Sequence, residues 1–120
     1  MEKVLIVDDE VDICYFLLRN INKQNFLASY VNTLGEARLA LDKQRPGILL
    51  LDNHLQDGFG VDFAVEVKKN YPSIKVVMIT AHDTENDRSN AINNGIDYFL
   101  SKPFIMTDVF KAINIVSNKA

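Results

Sequence analysis

Three short runs of apolar residues, each closed by a polar residue, constrain the fold of this chain more than any other feature. The runs are Val4–Val7, Ile48–Leu51 and Val76–Ile79, and all are uninterrupted and partly β-branched. A strand has such a sequence when both of its faces are covered, as in a parallel sheet that lies between helices. We therefore predict an α/β fold in which these runs are central strands.

Two further strands and five helices complete the predicted order of elements. Phe26–Val31 is more polar and is placed at a sheet edge, and Ile96–Leu100 is the fifth strand. The intervening segments predict five helices. The first runs from Val11 to Lys23, and the second begins at Thr33, which forms a capping box with Glu36. The third runs from Phe59 to Asn70 and stops before Pro72, the fourth follows Asp83 and ends at Asn94 and Gly95, and the fifth starts near Thr107. Five such units predict a five-stranded parallel sheet in the order 2-1-3-4-5, with helices on both faces.

The spacing of apolar residues predicts how deeply the helices are buried. The first helix is expected to bury one face formed by Ile13, Phe16, Leu17 and Ile21. The fourth helix is the least apolar and offers only Ala91 and Ile92 to a core. A helix so weakly buried is a candidate for motion or for contact with a partner.

Length and composition fit one domain, and they exclude several classes of protein. With 120 residues the chain can bury a core, and no apolar stretch approaches the roughly 20 residues that a membrane helix needs. The net charge is -3 without a basic cluster, so a nucleic-acid footprint is missing. The single cysteine, Cys14, suits a reducing cytoplasm and is expected to be a buried helix residue. We expect a cytoplasmic protein that binds neither membranes nor nucleic acid directly.

Polar residues follow the predicted strands at the points where the strands end. Asp8 and Asp9 follow the first strand, Asp52 the third, Thr80 the fourth and Lys102 the fifth. The carboxyl ends of parallel strands share one edge of the sheet, where open α/β sheets bind ligands. Three carboxylates, a hydroxyl and an ammonium at this edge predict a site for a divalent cation and a phosphoryl group.

The three carboxylates predict a magnesium site. Their mutual repulsion must be relieved by a proton, a lysine or a cation, and hard oxygen ligands beside a phosphate favour Mg²⁺. Asp9 and Asp52 are predicted to bind the ion directly, Asp8 through a water, and His54 through its backbone carbonyl. Taken singly, Asp8 and Asp9 could instead cap the first helix.

Asp52 is also the candidate nucleophile toward phosphorus, because its strand is central. Mg²⁺ and Lys102 would offset the charge of the transferring phosphoryl oxygens, and Thr80 would hydrogen-bond one of them. Taken alone, Lys102 could be a surface lysine and Thr80 an ordinary strand residue. Lys102 directly precedes Pro103, however, and an X–Pro bond can be cis and fix a tight turn.

Five short motifs stand in a characteristic order at and after the predicted strand ends: Asp8-Asp9-Glu10, Leu51-Asp52, Gly58 with Gly60, Thr80-Ala81 and Lys102-Pro103-Phe104. The set resembles the receiver domain of bacterial two-component response regulators, over nearly the whole chain. The resemblance implies one flavodoxin-like (βα)5 three-layer sandwich over residues 1–120, and the strand order given above rests partly on it. It also implies that a sensor histidine kinase or a phosphotransfer protein donates a phosphoryl group to Asp52. Beyond this transfer and a slow loss of the group, no enzymatic activity is expected.

The resemblance further implies a conformational switch. Thr80 would turn toward the phosphoryl group and Phe99 would turn inward, whereas Tyr98 beside it has the opposite strand parity. The face formed by the fourth helix, fifth strand and fifth helix would carry the signal to an output domain or a partner protein. The same face could form a homodimer. No output domain is expected in these residues, so the chain would act alone or belong to a longer regulator or hybrid kinase.

Two features of the loops are unusual for this family. Gln56 stands where the loop after the acceptor usually has proline, so we expect a more mobile loop and a less fixed His54 carbonyl. His54 and His82 each lie two residues after a site residue, Asp52 and Thr80. We hypothesise that their imidazoles act on the hydrolytic water and make dephosphorylation pH-dependent; the alternative is two solvated loop histidines.

Other classes of protein fit the sequence less well. The main alternative is a receiver that works as a docking or dimerisation module without phosphorylation, although the full set of site residues disfavours it. A phosphatase of the haloacid dehalogenase type would need a second acid, which Asp52-Asn53-His54 lacks. A dinucleotide-binding fold would need G-x-G-x-x-G after the first strand, and His54 as a phosphocarrier would need a four-helix context.

Overall fold

The computed structural model describes residues 2–81, 89 and 92–117. In chain order the elements are β1 (Lys3–Val7), α1 (Val11–Asn22), β2 (Leu27–Val31), α2 (Leu34–Gln44), β3 (Ile48–Asp52), β4 (His54–Leu55), β5 (Gly58–Phe59), α3 (Gly60–Asn70), β6 (Lys75–Thr80), β7 (Tyr98–Ser101) and α4 (Met106–Val116). Five strands form a parallel sheet in the order β2-β1-β3-β6-β7. Counted along the chain without the short β4 and β5, this is the predicted order 2-1-3-4-5, which is confirmed.

Two apolar clusters cover the two faces of the sheet and produce three layers. Alternate residues of β1 enter different clusters: Val4 and Ile6 pack on the side of α1 and α4, and Leu5 and Val7 on the side of α2 and α3. All five residues of β3 are buried. Burial on both faces explains why these strands are uninterrupted apolar runs in the sequence. Each such side chain contributes roughly 1.5–3 kcal/mol through its burial.

The buried face of α1 is rotated relative to the predicted one: it includes Cys14, excludes Phe16 and leaves Ile13 half-buried. Cys14, Leu17 and Ile21 are fully buried, whereas Phe16 is 48% exposed. Residues 14, 17 and 21 are three and four positions apart and form one stripe, and Phe16 lies about 100° from Leu17 around the helix axis. The prediction for Phe16 was therefore wrong, because the buried stripe lies on the side of Cys14 and Phe16 falls outside it.

A short hairpin follows β3 that the apolar pattern does not predict. His54 pairs with Phe59, and Leu55 with Gly58, in antiparallel register. Gln56 lies in the turn between the two strands. Helix α3 begins immediately after the hairpin, one residue later than predicted.

The fourth predicted helix falls largely outside the described residues, as does its predicted N-cap, Asp83. Its predicted end is described: Gly95 has a φ of 89°, the left-handed conformation that favours glycine after a helix. The fifth strand begins at Tyr98, two residues later than predicted, and extends to Ser101. In the described part of the chain, no helix combines the length and apolar character that crossing a bilayer requires.

Candidate active site at the carboxyl edge of the sheet

The structure brings the predicted polar residues together at one edge of the sheet. Asp52 ends β3, Thr80 ends β6, Asp8 follows β1 and Lys102 follows β7. The Lys102 Nζ atom lies 3.5 Å from Asp8 Oδ2 and 3.7 Å from Asp52 Oδ1. The lysine therefore spans the crevice and pairs with carboxylates from two neighbouring strands.

Backbone hydrogen bonds fix the loops that carry these side chains. Asp8 Oδ1 accepts a hydrogen bond from the Glu10 N–H at 2.9 Å, which holds the turn into α1. The Lys102 N–H donates to the Thr80 carbonyl at 2.8 Å, which continues the ladder between β6 and β7. The peptide bond between Lys102 and Pro103 is cis. The side chains at the site thus start from backbone positions that the sheet determines.

The three central polar residues are almost completely buried: Asp8 is 1% exposed, Asp52 6% and Thr80 1%. Ionised carboxylates at such positions need compensation, because burial removes them from water. Lys102 supplies one positive charge. Asp8 Oδ2 faces the Lys102 ammonium at 3.5 Å, but it accepts no hydrogen bond from the described residues.

The electrostatics of the crevice oppose full ionisation of its carboxylates. Burial raises the pKa of Asp52 to about 6 from an ordinary 3.8, and the charge of Asp8 adds to this effect. The Lys102 ammonium and a hydrogen bond from the His54 backbone N–H act in the opposite direction. Burial also raises the pKa of Asp8. Burial alone would lower the pKa of Lys102, but the charges of Asp8 and Asp52 raise it above its usual value.

The acidic side chains fit a hard divalent cation. Asp8, Asp9 and Asp52 can each offer one ligand oxygen, and these oxygens lie within 4.8 Å of one another. The buried Asp8 Oδ2, which accepts no hydrogen bond from the described residues, is an acceptor that a cation or its bound water would satisfy. The donor set, carboxylate oxygens only, suits Mg²⁺ better than a softer metal. The water at Asp8 and the contribution of the His54 carbonyl stay predictions.

The two predicted switch residues lie on the same face of the sheet. Phe99 is the register partner of Met78, and both belong to the side covered by α2 and α3. Thr80 is two residues beyond Met78 and therefore points to that face as well. Tyr98 packs against the opposite cluster, so the predicted difference in parity is confirmed.

Only one of the two histidines, His54, is among the residues that the structure describes. His54 is exposed in β4, and its ring lies 5.5 Å from the ring of Phe59 in an edge-on arrangement. His82 lies outside the described residues. Their proposed influence on dephosphorylation stays a prediction.

Two contacts that support the site have no counterpart among the predictions from the sequence. Asn32 Nδ2 donates to the Asp8 carbonyl at 2.8 Å, and the carboxylate of Asp57 accepts hydrogen bonds from the Leu34 and Gly35 N–H groups. The signal for Asp57 is the Asp-Gly pair that follows Gln56, which marks a turn but does not say what its side chain binds.

Gly60 is required by close packing against the acceptor. A Cβ atom at this position would lie 2.3 Å from the Asp52 carbonyl oxygen, much closer than any side chain allows. The Gly60 N–H donates to the Asn53 carbonyl at 2.8 Å. The first residue of α3 is thus in direct contact with the backbone of Asp52, the candidate acceptor, and of Asn53.

The sheet order and this crevice define a receiver, and the chain belongs to the response regulator receiver domain family, whose model matches residues 4–114. It is thus a receiver domain of two-component signalling. It is 32% identical over 104 residues to the KDP operon transcriptional regulatory protein KdpE of Escherichia coli, covering 87% of this chain and 46% of that protein. It is 30% identical over 122 residues to the response regulator protein VraR of Staphylococcus saprophyticus, covering 97% of this chain and 56% of that protein. The chain spans about half the length of these relatives.

A solved structure supports the fold. The chemotaxis protein CheY4 of Vibrio cholerae superposes with a TM-score of 0.92 at 22% identity, and the match covers 98% of this chain and 99% of that one. At this level of identity the likeness confirms the flavodoxin-like receiver fold and nothing finer.

Proposed function

We propose that the chain accepts a phosphoryl group on Asp52, with Mg²⁺ bound beside it, from a sensor histidine kinase, a phosphotransfer protein or a small phosphodonor. The observation that carries the proposal is the contact of Lys102 Nζ with both Asp8 and Asp52, at 3.5 and 3.7 Å. A lysine with no role at the site would extend its ammonium into water and would not lie between two buried carboxylates. An ammonium at this point is suited to the negative charge of a transferring phosphoryl group.

The transfer is a displacement at phosphorus. A carboxylate oxygen of Asp52 forms a bond to phosphorus while the bond from phosphorus to the donor's nitrogen or oxygen breaks, and the electron pair of that bond leaves with the donor. Lys102 then pairs with a phosphoryl oxygen, and the Thr80 hydroxyl donates to another. Mg²⁺ held by Asp9, Asp52 and the His54 carbonyl, and by Asp8 through a water, would neutralise part of the phosphoryl charge. Return of the carboxylate requires attack by water on the acyl phosphate. The second acid that a phosphatase of the haloacid dehalogenase type would use is missing from Asp52-Asn53-His54, so we propose a slow self-dephosphorylating switch and not a turnover enzyme.

This chain has a surface beside the acceptor that is suited to docking of a protein donor. A cavity of about 490 Å³ lies next to Lys102 and is lined mainly by apolar side chains, among them Phe16, Pro103 and Phe104. Phe16 is 48% exposed and Ile105, which follows Phe104, is 63% exposed. Exposed apolar area close to a reactive group favours docking of another protein. A cytoplasmic location is part of this proposal.

The signal is proposed to leave through the fifth predicted strand and its neighbouring helices. Thr80 and Phe99 share one face of the sheet, so a movement of Thr80 toward a phosphoryl oxygen vacates space that Phe99 can fill. Moving such an equilibrium from 1:99 to 99:1 requires about 5.5 kcal/mol, and charge-assisted hydrogen bonds to a phosphoryl group are of this order. KdpE, a relative that this chain matches over part of its length, is named as a transcriptional regulatory protein. We therefore propose an output domain or a partner protein as the recipient, with a homodimer through the same face as a further arrangement.

The test is the intact mass after incubation with acetyl phosphate and Mg²⁺. We expect wild type to gain one phosphoryl group, with no gain in Asp52→Asn or in the presence of a chelator. Asp62→Asn, which changes an exposed carboxylate in the first turn of α3, is the matched control and should gain the group normally. Gain by Asp52→Asn would show that another residue is the acceptor. No gain by wild type, even with a phosphorylated histidine kinase as donor, would favour a docking module that works without phosphorylation.

A further inference from the structure

The turn between β2 and α2 (residues 32–35) touches both loops that carry the candidate metal ligands. On one side, Asn32 Nδ2 donates to the carbonyl of Asp8 at 2.8 Å. On the other side, Asp57 Oδ1 accepts from the Leu34 N–H at 2.9 Å, and Asp57 Oδ2 from the Gly35 N–H at 3.0 Å. One segment outside the crevice is therefore bonded to the loop after β1 and to the hairpin after β3.

The contact made by Asp57 fixes the far end of the hairpin. The near end is already closed, because the Gly60 N–H donates to the Asn53 carbonyl at 2.8 Å. The hairpin also packs against the first residue of α2. Gly58 has a φ of 149°, and a Cβ atom there would lie 3.0 Å from a methyl group of Leu34. Contacts at both ends thus restrain the hairpin that carries the His54 carbonyl, and they act against the greater mobility that Gln56 leads us to expect.

Helix α2 has its own N-cap, so its stability and the position of the hairpin can be separated. Thr33 Oγ1 accepts from the Glu36 N–H at 3.1 Å, and the Glu36 carboxylate accepts from the Asn32 N–H. Asp57 adds acceptors for two further N–H groups that the first turn of a helix leaves without partners. Thr33 and Asp57 thus both stabilise the start of α2, but of these two side chains only that of Asp57 belongs to the hairpin.

We propose that Asp57 and Asn32 are positioning residues for the Mg²⁺ site, which hold the hairpin and the Asp8 loop at a fixed separation through the turn between β2 and α2. The proposal rests on the proposed function, since it requires that the crevice binds Mg²⁺. Residues that orient metal ligands from outside typically change metal affinity 10–100-fold when they are substituted. For Asp57→Ala we expect a Kd for Mg²⁺ about 10-fold higher, and for Asn32→Ala a change in the same direction. Asp57→Asn keeps one acceptor oxygen and should restore part of the affinity.

The matched control is Thr33→Ala, which removes a cap from the same helix but leaves the side chains of Asp57 and Asn32, which make the hydrogen bonds to the two loops, in place. Loss of a cap costs about 1 kcal/mol of stability in either case, so Thr33→Ala and Asp57→Ala should both lower Tm. We expect the Kd for Mg²⁺, measured by calorimetric titration of folded protein with MgCl₂, to change for Asp57→Ala and to stay at the wild-type value for Thr33→Ala. In the metal-free protein, amide exchange at Leu34 and Gly35 should quicken in Asp57→Ala, which reports the broken contact independently of the ion.

The outcomes distinguish this proposal from the function on which it rests. If wild type binds Mg²⁺ and all variants bind it equally, the positioning role is wrong and the proposed function stands. If Thr33→Ala weakens binding as much as Asp57→Ala, the effect is one of helix stability and the positioning role is also wrong. If wild type does not bind Mg²⁺ at millimolar concentration, both proposals fail. Where Asp57→Ala is not folded, Asp57→Asn and Asn32→Ala are compared with Thr33→Ala in the same titration.

Discussion

The metal-free crevice is predicted to make the fold less stable at neutral pH than at pH 4, and Asp52→Asn should remove most of this loss. The pKa of Asp52 is raised to about 6, from 3.8 in the absence of the fold. Between these two values the folded chain keeps a proton that the unfolded chain has released. The contribution of Asp52 to the free energy of unfolding is therefore fully present below about pH 4 and is lost as the pH rises through 6.

The size of the effect follows from the shift in pKa. A difference of about two pKa units, at about 1.4 kcal/mol each, corresponds to about 3 kcal/mol at pH 8. The side chain of Asp52 is only 7% exposed, so water does little to screen its charge. The attraction to Lys102 is already contained in the raised pKa, since it acts against the effect of burial. An asparagine side chain carries no charge at any pH, and Asp52→Asn should therefore unfold with a free energy up to about 3 kcal/mol higher than wild type at pH 8.

The assay is urea unfolding followed by far-ultraviolet circular dichroism, since the chain has no tryptophan. Wild type and Asp52→Asn are compared from pH 4 to 8 without Mg²⁺, and we expect the two curves to diverge between about pH 4 and 6.5. Asp42→Asn, at an exposed position on α2, is the control and should follow wild type. Mg²⁺ at 100 times its Kd should recover about 2.7 kcal/mol in wild type. An Asp52→Asn variant that is less stable than wild type at pH 8 without Mg²⁺ would refute the reasoning.

Three further predictions concern packing and surface charge. Gly60→Ala should lower the free energy of unfolding by at least about 2 kcal/mol in urea titrations, because its methyl group would overlap the Asp52 carbonyl; a variant as stable as wild type would contradict this close approach. Cys14 is 0% exposed and burial raises its pKa to about 12, so it should react with Ellman's reagent only after unfolding, and rapid labelling of native protein would speak against this burial. Arg38 and Glu66 form a two-point ion pair at 2.8 and 3.2 Å on an exposed surface. A double-mutant cycle should give them a coupling of no more than about 1 kcal/mol.

The parts of the structure that the sequence predicts are those governed by simple periodicity. Continuous apolar runs identified the central strands because burial on both faces leaves no place for a polar residue. The same runs located the crevice, since Asp52 and Thr80 end two of them and parallel strands share one carboxyl edge. Strand parity also separated Phe99 from Tyr98 correctly.

The features that were missed depend on contacts between distant segments. The hairpin of residues 54–59 has too few residues for a pattern, and the partners of Asp57 are 22 and 23 positions away at the start of α2. Phe16 was misassigned because apolar spacing along α1 fits more than one face, and only packing against the sheet selects the face that carries Cys14, Leu17 and Ile21. The raised pKa of Asp52 likewise requires the depth of burial, which the sequence suggests but does not measure.

The start of α3 on the backbone of the acceptor has a practical consequence. The Gly60 N–H is bonded to the carbonyl of the residue next to Asp52, so a displacement of the acceptor relative to α3 changes the length of this bond. The chemical shift of an amide proton is sensitive to the length of the hydrogen bond that it donates. The amide resonance of Gly60 should therefore report whether Asp52 carries a phosphoryl group. It can be followed in the chain without any added label, and it responds at the acceptor itself and not at the distant signalling face.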